Sequence, residues 1–244
     1  MQKEVGWILQ EKYSGKETAG FRKDIERFEK GEPLDYIIGF GEFLGCKIDL
    51  SKKPLIPRDE TEFWVEQAIE GMKDGQNLRI LDMFSGSGCV GVAVLKYIKD
   101  ATVVFAEKDK NCLEQIKINV KINKIDSKRY KIVQSDLFKN IKGTFDYILA
   151  NPPYIPTTRK NKIQKSVLKY EPKIALFGGI DGLFYIKKFL TQAGKFLNAN
   201  GKIYMEFDSI QKKEFEKLLK QLRYKNYEFQ KDQYGKWRWV VVLN

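Results

Sequence analysis

No histidine occurs anywhere in the 244 residues. That absence removes His general bases, Ser-His nucleophile pairs and His-held metal ions together. Cysteine is scarce: Cys46, Cys89 and Cys112 stand alone, odd in number and without any C-x-x-C spacing. Neither a zinc site nor a disulfide framework fits that pattern, so inert thiols in a reducing compartment and no bound metal are expected. No apolar run approaches the ~18 residues of a membrane span. The opening Met1-Gln2-Lys3-Glu4-Val5-Gly6-Trp7 has no apolar core of the kind a signal peptide needs. A cytoplasmic location off the membrane is the expectation. Internal repeats and low-complexity linkers are missing too.

What is present suits one large domain with a small extension. Hydrophobic residues make up 43% of the chain, enough for a proper core. Lysine and arginine number 44 against 32 acids, a net charge of +12. Such a balance favours an anionic partner, nucleic acid or a ribosomal assembly. A generally lysine-rich surface gives the same figure, because the basic residues are spread widely.

Residues 1 to 35 are charged and mixed, with helical spacing at Phe21, Ile25 and Phe28, and read as a helical prelude. Residues 36–60 are richer in Gly and Pro and read as a hairpin followed by a loop. A helix over 61–72 would turn Phe63, Trp64, Ala68 and Ile69 inward, capped by Asp59 or Thr61. From Leu78 strands and helices alternate. Strands are expected at 78–83, 102–106, 130–134, 145–150 and 201–207, with helices at 89–98, 109–122, 183–197 and 210–222, and a loop over 151–182. Two last strands, near 225–231 and 237–243, pair across Tyr234-Gly235. The expected fold class is therefore α/β: a Rossmann-like, doubly wound, seven-stranded, mostly parallel sheet with a C-terminal antiparallel hairpin. Residues 1–60 form the N-terminal extension and 61–244 the main domain.

Four polar clusters end four consecutive strands. Phe84-Ser85-Gly86-Ser87-Gly88 closes the first and opens a helix; glycines there let backbone approach a ligand, and a helix N-terminus offers N–H groups to an anion. No third glycine follows at the dinucleotide offset, which points away from NAD. Glu107 ends the second strand, where a carboxylate can accept ribose hydroxyls. Asp136 ends the third, placed to accept from an adenine amino group with Leu137 against the ring. Asn151-Pro152-Pro153-Tyr154 ends the fourth. Two prolines cannot continue a ladder, so the strand stops in a rigid turn. The Asn151 carboxamide oxygen and a backbone carbonyl could there accept both N–H bonds of a planar nitrogen, with Tyr154 on its face.

This order of Gly-rich turn, ribose acid, adenine acid and Asn-Pro-Pro-Tyr resembles the class I S-adenosylmethionine-dependent methyltransferases that act on amino groups. Three further stretches resemble the HemK/PrmC-type protein glutamine methyltransferases: Gly31-Glu32-Pro33-Leu34-Asp35-Tyr36-Ile37; Leu55-Ile56-Pro57-Arg58-Asp59-Glu60-Thr61-Glu62; and Tyr170-Glu171-Pro172 with Gly178-Gly179-Ile180-Asp181-Gly182-Leu183. The likeness spans about residues 28 to 243. It implies methylation of a glutamine side-chain amide, typically in the Gly-Gly-Gln loop of a peptide chain release factor. By the same resemblance, Phe84 to Gly88 would hold the methionine part of S-adenosyl-L-methionine, Glu107 its ribose, and Asp136 and Leu137 its adenine. Asn151 would lie between cofactor and substrate, and with Pro152, Pro153 and Tyr154 would seat the substrate amide. The family usually has glycine where Phe84 stands. Its bacterial members carry a separate N-terminal helical domain where only residues 1 to 35 precede the shared region here, so a shortened substrate grip is expected. The loop after Tyr154, with Arg159, Lys160, Lys162, Lys165, Lys169 and Lys173 opposed only by Glu171, is a candidate contact to a substrate near ribosomal RNA. Two other readings stay open: an amino-methyltransferase of adenine or guanine in RNA or DNA, and a non-catalytic cofactor-binding module.

Overall fold

The computed structural model describes residues 2–243. Helices α1 (Gln2–Tyr13) and α2 (Ala19–Glu29) begin the chain, the second capped by the Thr18 hydroxyl, which accepts the Phe21 N–H. With α3 (Leu34–Ile38) they bury Ile8, Phe21 and Ile37 in a small core of their own. The hairpin β1 (Phe40–Phe43) and β2 (Cys46–Asp49) follows, as the Gly-rich composition implied. Its Phe43, Cys46 and Ile48 join the same core as Trp64, Val92 and Phe105. Tyr36 of α3 joins that larger core too, so only the cluster of Ile8, Phe21 and Ile37 packs apart from it.

Helix α4 (Asp59–Glu70) starts two residues earlier than its periodicity suggested. Its N-cap is Arg58, without a side-chain cap bond. Asp59, Glu60 and Glu62 fill the first turn, where negative charge meets the positive end of the helix dipole. Trp64, Ala68 and Ile69 are buried, whereas Phe63 is half-exposed against the edge of Trp239. The alternation then runs β3 (Arg79–Met83), α5 (Cys89–Tyr97), β4 (Thr102–Glu107), α6 (Lys110–Ile122), β5 (Tyr130–Gln134) and β6 (Phe145–Ala150). The stretch expected as a loop carries a short helix, α7 (Lys165–Tyr170), between 3-10 turns. After it come α8 (Phe184–Ala193), β7 (Leu197–Glu206), α9 (Lys212–Gln221), β8 (Asn226–Lys231) and β9 (Trp237–Leu243).

The large sheet has seven strands in the order β5-β4-β3-β6-β7-β9-β8. Strands β5 through β7 in that order are parallel, and β9 runs antiparallel to both β7 and β8. One apolar layer, with α4, α5, α6 and the hairpin, covers one face; α8 and α9 cover the other. The chain leaves β3 toward β4 and β5, then returns to place β6 on β3's other side. At such a reversal the loops after neighbouring strands diverge and leave a crevice at their C-terminal ends.

The hairpin is fastened to α6 by amides. Asn119 Oδ1 accepts the Asp49 N–H at 2.8 Å while its Nδ2 donates to the Asp49 carbonyl at 3.2 Å. Asn123 does the same for Lys47, at 3.2 and 2.7 Å. Four residues of helix rise about 6.0 Å and two residues of strand about 6.6 Å, so the repeats match well enough for one amide per two strand residues.

Gly91 in α5 packs directly on the sheet: a Cβ there would sit 2.3 Å from Phe105 Cε1 and 3.0 Å from Asp82 Oδ2. Alanine in a helix interior ordinarily gains about 1 kcal/mol over glycine, but overpacking a filled core costs about 1–3 kcal/mol. Gly91→Ala should therefore lower stability, read as a reduced urea midpoint with unchanged slope. An increased midpoint would show that the face of α5 has room.

Candidate active site

The crevice at the reversal is a cavity whose empty space, open mouth included, is about 1230 Å³. Phe84 to Ser87, Glu107, Asp136, Leu137, Asn151 and Pro153 line it, together with Asp82, Thr61, Arg58 and Tyr185. Three of the four strand-end clusters thus contribute in full or nearly so. Pro152 and Tyr154, and Gly88 at the start of α5, do not line it.

The turn after β3 is shaped by its own hydrogen bonds. Phe84 and Ser85 donate their N–H groups to the Ala106 carbonyl, at 3.1 and 3.3 Å, and the Ser85 hydroxyl donates to the Asp82 carbonyl at 2.7 Å. Phe84 adopts φ 61, a left-handed conformation that costs a non-glycine residue about 1–2 kcal/mol. A glycine would carry no such strain. Here a ring packed edge-on against Tyr185, with centroids 6.2 Å apart, offsets it.

Glu107 is wired into the same turn. Its Oε2 accepts from Gly86 N–H at 2.9 Å, and its Oε1 from the Lys108 and Asp109 N–H groups at 2.6 and 2.8 Å. Two donors saturate Oε1, so Oε2 keeps the open lone pair. Asp136 pairs with Lys108 at 3.0 Å across the mouth; both ends are about half exposed. A surface pair of this kind is worth roughly 0–1 kcal/mol, so a ligand can displace it at little cost.

Asp82 was not singled out by sequence reasoning, since a strand-interior acid beside a glycine turn carries no signal of its own. It is 2% exposed and lines the cavity, its Oδ2 accepting only the Gly91 N–H at 3.0 Å. Burial pushes its carboxyl up to about 8, the Gly91 bond pulling down and Glu107 pushing further up. Glu107 is raised by burial as well. Burial likewise pushes the Cys89 thiol up to about 12 and raises that of Cys112. These are unreactive thiols.

Asn151 ends β6 half-buried, its Nδ2 donating to the Thr61 Oγ1 at 3.2 Å. Its Oδ1 and the Pro152 carbonyl accept no hydrogen bond from the described residues. Tyr154 faces the other way. Its ring packs on the α8–α9 side of the sheet and its hydroxyl donates to Glu206 Oε1 at 2.8 Å. It anchors the turn rather than covering the cavity, a correction to the stacking role expected for it; the parity of the turn, not visible in sequence, decides which way the ring goes. Glu206, at the end of β7, is 1% exposed and also accepts from Thr61 Oγ1 and Trp64 Nε1 on Oε2, both at 2.7 Å.

The sequence blocks noted above meet around this turn. Arg58 and the Ile56 N–H both donate to the buried Glu171 carboxylate, which joins two walls of the cavity. Glu62 accepts the Leu44 N–H of the hairpin turn. Gly178 and Gly182 press on the Asn-Pro-Pro-Tyr backbone: a Cβ would lie 2.4 Å from the Pro153 carbonyl in one case and 2.1 Å from the Tyr154 carbonyl in the other. Gln211 secures the contact by donating to the Tyr154 and Asp181 carbonyls.

A parallel sheet with an antiparallel β9, and a cavity built from its strand-end turns, define a class I methyltransferase. Residues 65–173 match the methyltransferase small domain family. A methyltransferase from Pyrococcus furiosus superposes with a TM-score of 0.59 at 17% identity, covering 93% of this chain and 98% of that one. Among curated proteins, the release factor glutamine methyltransferase of Flavobacterium psychrophilum is 34% identical over 222 residues, 88% of this chain and 77% of that protein. That of Streptococcus pneumoniae is 33% identical over 239 residues, 97% and 84% of the two chains. The chain belongs to the release factor glutamine methyltransferase family. Among the described residues no helix is long and apolar enough to cross a membrane, and no cluster of three acidic, Cys or His side chains is set to hold a metal.

The buried Asp82 dictates a pH response. An acid protonated in the folded protein up to about 8 but ionised above about 4 when unfolded binds its extra proton in the native state. Its contribution to stability therefore falls as pH rises through that window, by at most about 1.4 kcal/mol per pH unit. Asp82→Asn keeps an acceptor for Gly91 and should flatten the decline between pH 5 and 8 in urea unfolding. An unchanged slope would place the titration elsewhere.

Proposed function

We propose that this protein transfers a methyl group from S-adenosyl-L-methionine to the side-chain amide nitrogen of a glutamine in a peptide chain release factor. The observation that carries the reading is Asn151 Oδ1, left without a donor at the cavity in a chain of this family, next to a Pro152 carbonyl that takes no hydrogen bond from the described residues. A primary amide presents two N–H donors, and two neighbouring acceptors match them. Tyr154 supports the turn through Glu206.

The residues fit the cofactor. The lining combines the buried acid Asp82, the half-buried Glu107 and Asp136 at the mouth with Met83, Leu137 and Val90, which suits a cationic molecule with a flat ring and a diol. Phe84, Ser85, Gly86 and Ser87 would hold its methionine part, Glu107 Oε2 a ribose hydroxyl, and Asp136 and Leu137 its adenine. When bound, the cofactor supplies an electrophilic sulfonium methyl. An amide nitrogen is a poor nucleophile because its lone pair is shared with the carbonyl. Acceptors on both N–H bonds raise its electron density and aim it; such positioning is worth ~7–11 kcal/mol at best. Held this way, the nitrogen would be aimed at that methyl, and its surplus proton would pass to water. No histidine is needed for that.

The basic face is the proposed grip. Lys160, Lys162, Lys165, Lys169 and Lys173 are exposed, and Glu171, the one acid among them, is taken up by Arg58. We take this face to meet a substrate surface rich in acid or lying near ribosomal RNA, in the cytoplasm where release factors work.

Labelled cofactor should transfer its methyl to a purified release factor. Label in total RNA with none in protein would reject the reading. Asn151→Ala should cut transfer by about 100-fold or more with cofactor affinity within twofold of wild type. Exchanging Lys160, Lys162, Lys165 and Lys169 for Gln should raise the KM for the release factor at low salt and less so at high salt; a KM insensitive to both would remove the grip from this face.

A further inference from the structure

The orientation of the Asn151 amide is decided by a relay that begins at a donor with no alternative. The Trp64 indole N–H can only donate, and it donates to Glu206 Oε2 at 2.7 Å. That oxygen carries no proton when the carboxyl is ionised, or when the proton sits on Oε1 and the bond to Tyr154 reverses, and in both of these forms it accepts from Thr61 as well as from Trp64. Thr61 Oγ1, 2.7 Å from the same oxygen, must then be the donor. With its one proton given to Glu206, the Thr61 hydroxyl faces Asn151 with lone pairs only. Across 3.2 Å it can take an N–H of the Asn151 carboxamide and cannot give one. The Asn151 Nδ2 end is held at Thr61, and the Oδ1 end is left without a partner at the cavity.

We propose that Thr61, Glu206 and Trp64 act as a polarity relay: they fix which end of the Asn151 amide meets the incoming nitrogen, and Thr61 is a positioning residue for methyl transfer. The relay rests on the glutamine reading only for the identity of the substrate, since any NH₂ group needs the same acceptor. The consequence of losing it is a change of sign. A rotated Asn151 sets its own two N–H donors against those of the substrate. Every member is nearly inaccessible to solvent, Trp64 at 0%, Glu206 at 1% and Thr61 at 3%, so no water can substitute freely for a lost hydroxyl.

Thr61→Val keeps the shape and removes the relay; Thr61→Ser keeps the hydroxyl. Glu206→Gln keeps an acceptor toward Trp64 and Thr61, with its NH₂ toward a Tyr154 hydroxyl free to turn and accept. The relay predicts that T61V lowers kcat by about 10- to 100-fold while KM for the release factor and cofactor affinity stay within twofold. T61S should stay within about threefold of wild type and E206Q within about tenfold. If T61V keeps wild-type kcat, or if E206Q is more damaging than T61V, the relay is wrong and the charge on Glu206 is what acts. A readout independent of turnover is the ¹⁵N side-chain resonance of Asn151, assigned by its loss in Asn151→Asp. Wild type and T61S should share one pair of amide proton shifts and T61V should show that pair moved; identical spectra in all three overturn the proposal. Should wild type label RNA and no protein, the glutamine reading falls, and the spectra and the T61V/T61S contrast on RNA still judge the relay.

Discussion

The buried carboxylate of Glu206 ties together the parts on which the site depends. It takes donors from α4 at two positions and from the turn after β6 at a third, while itself closing β7. Those segments are far apart in sequence, and two of them, α4 through Thr61 and the turn through Asn151 and Pro153, line the crevice. A buried ion left without partners would be strongly destabilising; one with three hydrogen bonds is tolerated, and the geometry around it becomes close to unique. The placement of α4 against the sheet, the path of the Asn-Pro-Pro-Tyr turn and the register of β7 at its end are thus one problem with one solution.

Much of this was legible because strand ends announce themselves. Apolar runs stopping at Gly86, Glu107, Asp136 and Asn151 fixed the crevice and its edge before any coordinate, and the β–α alternation gave the sheet. Less legible were contacts between distant segments. Glu206 reads as part of an ordinary strand, Thr61 as a helix cap, and Arg58 and Glu171 as members of two separate sequence blocks 113 residues apart. Only packing shows that the first two share a proton and the last two join cavity walls. Tyr154 was misjudged for a related reason: a turn with two prolines can send the following ring to either side of the sheet, and the parity of this one points it at Glu206, which its hydroxyl reaches.

Two residues flanking the cavity, Phe84 and Leu137, hold left-handed backbone conformations that side chains disfavour. Both sit at strand ends and both are kept there by neighbours, Phe84 by Tyr185 and Phe189, Leu137 by the Ser135 hydroxyl on its carbonyl. Strain of this sort persists where surrounding contacts over-determine the backbone, and it collects at sites that must present particular atoms. The two acids nearest the turn, Asp82 and Glu107, are also shifted toward their neutral forms by burial. The crevice therefore combines strained backbone with acids whose charge is suppressed, an interior readied for a positive guest.

The hairpin carries a different consequence. Its outer edge, at Lys47 and Asp49, would ordinarily display free N–H and C=O groups to any extended chain that came by. The carboxamides of Asn119 and Asn123 meet those groups as a third strand would, but they belong to a helix and offer no further edge of their own. The little sheet is finished on that side, and a small β-element separate from the main sheet is denied as a template for intermolecular pairing there.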